Sequence, residues 1–157
     1  MSDEISQLRH ILSAYPNVAV VGLSANWHRP SYFAAKYLLD HGYNVIPVNP
    51  AYDEVLGRTC YPDLRSIPGP VDVVDIFRKP EEVPALVEDA IAIGAKVVWM
   101  QIGVIHDEAA ARAREAGLDV VMNRCMKIEY GRLFGGLNWM GVNTGVISAK
   151  RPSHVTF

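Results

Sequence analysis

Cysteine is scarce in this chain, and its scarcity excludes a class of folds. Cys60 and Cys125 are the only two, too few for a disulfide framework, and the expectation is two reduced thiols in a cytoplasmic protein. An excess of charge of one sign is also missing. Fifteen Lys and Arg face 17 Asp and Glu, for a formal net charge of -2 at pH 7, so no basic field draws the chain to nucleic acid or to an anionic membrane. No apolar run reaches the roughly 18 residues of a membrane span, and the N-terminus lacks the charged-then-apolar pattern of a secretory signal. The five His and two Cys show no metal-ligand spacing, which argues against a zinc site. No serine-centred elbow supports acyl transfer by serine. There is neither an internal repeat nor a low-complexity segment.

What remains is the composition of a folded protein: 157 residues, 50% hydrophobic and 20% charged, enough for one domain with a proper core. The stretch Val18-Ala19-Val20-Val21-Gly22-Leu23-Ser24-Ala25-Asn26 organises the rest. Four apolar residues run into a glycine and a short polar loop, and a helical pattern starts at Pro30-Ser31. Such a run reads as a strand buried on both faces of a parallel sheet. Gly22 lets the backbone turn where the strand stops. The loop then brings N–H groups and a helix N-terminus to one place, which suits a phosphate.

The remaining periodicities alternate. Ile5, Leu8, Ile11 and Leu12 mark a first helix with Ser2 or Asp3 as its cap, and Tyr32, Ala35, Leu38 and Leu39 mark a second, stopped by Gly42. Asn44–Pro50 is a strand in which Pro47 cannot donate to a ladder, so it is either partly irregular or near an edge on one side. Residues 51–70 carry Gly57 and Pro68-Gly69-Pro70 and promise only short turns. Strands are expected at Val71–Phe77, Lys96–Gln101 and Asp119–Met122. Helices are expected at Pro80–Ile93, delayed by Pro84, at Asp107–Ala116 with Asp107 as cap, and at Met126–Leu133. The fold class that follows is α/β: a three-layer, Rossmann-like open parallel sheet of about five strands with helices on both faces. Residues 1–137 form the domain and residues 138–157 a tail, in which Trp139, Val142, Val146 and Ile147 could contact a partner or a second copy in a homodimer.

In such a sheet the ligand lies beyond the carboxyl ends of the strands. Those ends carry Gly22, Ser24 and Asn26; Asn49 and Pro50; Phe77 and Arg78; Gln101 and Gly103; and Asn123-Arg124-Cys125. The dinucleotide fingerprint needs three glycines and only Gly22 is present, and Asn49-Pro50 stands where an NAD site expects an acid. His28, Arg29, Arg78 and Lys79 supply cations. The set suits a ligand with several phosphates, NADP being a weaker fit than a ligand that needs one glycine. Arg78 and Lys79 could also be a solvated pair, and Asn49-Pro50 an ordinary turn. Trp99, inside an apolar strand, is expected in the core. Trp27 either packs or covers a ligand. Cys125 is a nucleophile only if a base such as His106 reaches it; otherwise it is a packed thiol. Asp72 and Asp75, three apart in a strand, point to opposite faces and do not make a carboxylate pair.

Four segments in order, Val20–Asn26, Tyr43–Pro50, Val71–Arg78 and Val98–Gly103, resemble the small single-domain CoA-binding protein family, similar in fold to the CoA-binding domain of the succinyl-CoA synthetase alpha subunit. The resemblance spans roughly residues 5–134. It implies that Gly22, Ser24 and Asn26 hold the phosphates of coenzyme A; Arg29, next to them in the sequence, is a further candidate for those phosphates on charge alone. Asn49 and Pro50 would border the nucleotide, Phe77 and Arg78 flank adenine and pantetheine, and Gln101 and Gly103 lie near the thiol-bearing arm. Asn123-Arg124-Cys125 falls where the synthetase has a glycine- and proline-rich Asn-Cys motif, without those flanking residues. The expected function is therefore binding of coenzyme A or an acyl-CoA in a non-catalytic role as carrier, sensor or regulator. An NADP-linked oxidoreductase using Tyr32 or His106, and a ligand-dependent interaction module, are the rivals.

Overall fold

The computed structural model describes residues 2–134. The helix α1 (Ser2–Ala14) leads into β1 (Asn17–Val21), α2 (Pro30–Asp40) and β2 (Asn44–Val48). A two-residue ribbon follows, β3 (Glu54–Val55) against β4 (Arg58–Thr59), antiparallel. Then come a 3-10 turn at Leu64–Ser66, β5 (Val73–Ile76), a second 3-10 turn at Pro80–Glu82, and α3 (Val83–Ala92). β6 (Val97–Met100), α4 (Asp107–Glu115), β7 (Asp119–Val121) and α5 (Met126–Phe134) complete it. The five long strands pair in the order β2-β1-β5-β6-β7, every pair parallel.

Period-two alternation sends alternate side chains to opposite faces. Val18, Val20, Val73, Val97 and Trp99 pack against Leu8, Ile11 and Leu12 of α1, Ala35 and Leu38 of α2, and Met126 of α5. Ala19, Val21, Val74, Ile76, Val98 and Met100 pack against Val83, Val87 and Ala90 of α3 and Ala109, Ala110 and Ala113 of α4. The expected three layers are present. Each fully buried aliphatic side chain contributes roughly 1.5–3 kcal/mol relative to exposure, so the central strands anchor the molecule.

The differences are local. Pro47 does lie on an edge strand, opposite Val20, but that edge is partly covered: the N–H of Tyr61 donates to the Pro47 carbonyl at 3.0 Å. Residues 51–70 hold a ribbon as well as turns, because Leu56 (φ 56°) and Gly57 (φ 73°) supply its two-residue bend. The helix expected from Pro80 splits into a 3-10 turn and α3, with Pro84 in the first helical turn. His106, not Asp107, caps α4: its Nδ1 accepts from the N–H of Ala109 at 3.0 Å. Ile5, expected on the buried face of α1, is exposed. The tail expectation for residues 138–157 lies outside the described residues. Among the described residues no helix is long and apolar enough to cross a membrane.

Candidate functional site

The chain winds one way from β1 to β2 and then crosses β1 to reach β5, so the direction reverses between β1 and β5. Loops leaving two such strands diverge and open a crevice above their carboxyl ends. One side begins at Gly22, whose φ of +88° is in the left-handed region. A Cβ there would stand 2.5 Å from the Phe77 carbonyl oxygen and 3.3 Å from Cδ of Arg78, so the absent side chain is what lets the β1 and β5 loops touch. The N–H of Gly22 donates to the Val48 carbonyl at 2.8 Å, and Nδ2 of Asn49 donates to the Leu23 carbonyl at 3.1 Å, tying in the end of β2.

Small polar side chains shape the loop after β1. The N–H of Ser24 donates to Oγ of Ser31, and that of Asn26 to Oγ of Ser24, both at 3.0 Å. Oδ1 of Asn26 accepts from the N–H of His28 at 2.9 Å. Arg29, the residue before α2, is exposed, and α2 carries no acid in its first turn to offset its positive end. Asn49 is occupied at both ends of its amide, since its Oδ1 accepts from the N–H of Ala51 at 2.9 Å; Pro50 beside it is exposed.

Between this loop and the ends of β5, β6 and β7 runs a cleft of about 910 Å³. Phe77, Arg78, Gln101 and Gly103, four residues singled out from the sequence, line it together with Phe33, Ile102 and Cys125. The other six, Gly22, Ser24, Asn26, Arg29, Asn49 and Pro50, sit in the loops after β1 and β2 and are not among the residues that line it. His28, Arg78, Lys79 and Lys127 against Glu82 give its walls a positive balance. Arg78 is only loosely held, 3.9 Å from Glu82. Trp27, 60% exposed, stacks on His28 with ring centroids 3.7 Å apart, so it is not a core residue.

The floor at the β6 end is polar. Asp75, fully buried in β5, accepts a 2.5 Å hydrogen bond at Oδ1 from Nε2 of Gln101, and its Oδ2 has no hydrogen-bond partner among the described residues. Burial pushes this carboxyl up to about 7, partly offset by the Gln101 hydrogen bond. Asp72 is turned elsewhere, accepting from the backbone and side-chain N–H of Asn17 at 3.0 Å, as the opposite-face expectation requires. Cys125 stands immediately before α5, its carbonyl accepting from the N–H of Glu129 at 2.9 Å, and the backbone N–H groups of Ile128 and Lys127 favour its thiolate. Burial nevertheless raises its thiol, and Asp75 adds to that. Burial also lowers the Lys127 ammonium. The turn under Cys125 is fixed at several points. Trp99 donates from Nε1 to the Arg124 carbonyl at 2.7 Å, and Oδ1 of Asn123 accepts from the N–H of Gly103 at 2.8 Å. His106 is committed to its helix cap. Among the described residues no group of three His, Cys, Asp or Glu is placed to hold a metal ion.

Sequence reasoning set Asp75 aside once it was unpaired with Asp72, and did not single out Lys127 or Phe33. A carboxylate inside an otherwise apolar strand was the available signal. Phe33 and Lys127 carried none, since their place on the cleft depends on how α2 and α5 lie across the sheet.

A family model described as CoA binding domain matches residues 16–131. The uncharacterized protein YneT of Bacillus subtilis is 38% identical over 125 residues, 80% of this chain and 93% of that one. The ADP-forming acetate–CoA ligase I of Archaeoglobus fulgidus is 30% identical over 145 residues, which span 91% of this chain but only 20% of the ligase. A crystallised hypothetical protein of Pyrococcus horikoshii is 50% identical and superposes with a TM-score of 0.82 over 83% of this chain and 92% of its own.

Proposed function

This chain belongs to the CoA-binding domain family, and on that premise we propose that it binds coenzyme A or an acyl-CoA in the cleft above β1, β5 and β6 without turning it over. One observation carries the reading: the side-chain-free bend at Gly22 brings the β1 loop against Phe77 and Arg78, and a long, partly apolar, positively lined cleft begins beside it. That shape suits a ligand with phosphates at one end and an extended neutral arm at the other. The bend at Gly22 leaves room for the phosphates, and the hydroxyl of Ser24, the side-chain amide of Asn26 and the start of α2 receive them. Arg29 and Arg78 neutralise them, with Arg78 able to leave its weak pairing with Glu82. Asn49 and Pro50 border the nucleotide, the Asn49 amide acting by fixing the loop. Phe77 gives the adenine or pantetheine an apolar face, and Gln101 and Gly103 flank the arm. The aligned part of the ligase is a fifth of that protein, so the reading stops at binding.

Isothermal titration with coenzyme A, NADP and ATP tests it. The expected result is saturable heat with coenzyme A at one per chain and weaker binding of the other two. Heat with NADP and none with coenzyme A would favour the oxidoreductase and overturn this reading.

A further inference from the structure

The β6 end of the cleft contains more chemistry than binding a neutral arm requires. Three groups meet there: Gln101, which is 4% exposed; the thiol of Cys125, which lines the cleft; and the fully buried Asp75, bonded to Gln101 and left with one unpartnered oxygen. A buried polar atom without a partner is rare, and this one is joined to the cleft through Gln101, which lines it, so a titratable group stands behind the wall that the ligand touches. The thiol, for its part, is presented rather than packed away. The carbonyl just before it, that of Arg124, accepts from Nε1 of Trp99, its own carbonyl accepts from the N–H of Glu129 at 2.9 Å, and it stands at the N-terminal end of the nine-residue α5. Cys60 contrasts with it, being buried beneath the β2 loop with its sulfur on the Asn49 carbonyl at 3.4 Å.

We propose that Cys125 exchanges with a disulfide of the bound thiol cofactor, so that the protein captures coenzyme A as a mixed disulfide at the floor of the cleft. The proposal rests on the reading of the cleft as a coenzyme A site. Its oxidant is coenzyme A disulfide. Sγ of Cys125 attacks one sulfur of that disulfide; the S–S bond between the two coenzyme A halves breaks as the bond to Cys125 forms. The departing half leaves as a thiolate and takes up the proton that Cys125 gives up. One disulfide is consumed and one is made, and no other electron acceptor is needed. The N–H groups of Lys127 and Ile128 stabilise negative charge on the Cys125 sulfur as the thiol ionises. In the free cleft, burial and Asp75 keep the thiol protonated, so it does not react with every disulfide in solution. A disulfide seated in the cleft overcomes this by proximity.

The test follows intact mass after incubating the full chain with coenzyme A disulfide. The expected product is heavier by one coenzyme A less two hydrogens, maps to Cys125, is released by dithiothreitol, and forms on Cys60→Ser but not on Cys125→Ser. It forms about tenfold faster or more than the adduct of hydroxyethyl disulfide, which has no nucleotide to bind. Excess S-methyl coenzyme A, which fills the cleft without a disulfide, slows the reaction with coenzyme A disulfide. Equal rates with the two disulfides, or an adduct on Cys60, would overturn the proposal. Titration of the unmodified protein with reduced coenzyme A separates the two claims. Binding without an adduct removes only the exchange; no binding removes the site itself.

Discussion

Asp75 is the residue whose environment departs furthest from what water would offer it. Its carboxyl is fully buried with a single hydrogen bond, and burial lifts it from an ordinary 3.8 to about 7. The sign of the consequence follows from proton counting. Between those values the folded chain holds a proton that the unfolded chain has released, so stability falls as pH rises from about 4 to about 7, and the loss is complete above that range. Asp75→Asn keeps the shape and removes the titration. Urea denaturation at about pH 5 and about pH 8 should show the wild type losing stability relative to the variant, by up to the order of 3 kcal/mol. Parallel pH profiles for the two proteins would refute the assignment. Cys125 is modulated from the same place, since the charge of Asp75 opposes its ionisation.

At the scale of elements, the site is a joint between strand ends. Gly22 closes β1 against the first residue after β5, and no other residue type fits, both because of its φ of +88° and because of the Phe77 oxygen 2.5 Å from where a Cβ would stand. Gly22→Ala should therefore cost about 1–3 kcal/mol from backbone conformation alone, with the clash in addition. It should also weaken coenzyme A binding by more than the loss of stability explains, because the β1 and β5 loops must separate. Thermal melting and titration of the same sample check both, and a variant with wild-type affinity would show that this joint does not shape the site. Gly22 could be read in the sequence because a four-residue apolar run, a glycine and a helix start leave the backbone few options. The alternation of elements was equally legible, since each buried strand and each helix face repeats with its own period. The β3–β4 ribbon was not, because two-residue strands are too short to show a period. The split at Pro80–Glu82 was only half legible: Pro84 signalled a late start, but nothing local specified a 3-10 turn. The cap on α4 was misread because Asp107 looked like the better acceptor, while the observed cap is an imidazole nitrogen one residue earlier.

At the scale of the whole molecule, strand order decides where a ligand sits. The sequence supplies the residues at the strand ends, but only the order β2-β1-β5-β6-β7 puts Phe77, Arg78, Gln101, Gly103 and Cys125 along one cleft. It also explains the division among the residues chosen from sequence. Four of them line that cleft, and the other six lie in the β1 and β2 loops outside its lining, with Asn49 acting as a clip between those two loops. The floor was illegible for the same reason: Asp75, Gln101 and Cys125 are far apart in the chain and meet only once β5, β6 and α5 are in place. The most direct test of the central claim is a crystal structure of the protein grown with coenzyme A. The account predicts density running from the phosphates beside Gly22 and Arg78, along Phe77, to a sulfur near Gln101 and Cys125. Coenzyme A bound elsewhere on the surface, or a cleft holding only solvent at saturating ligand, would contradict it.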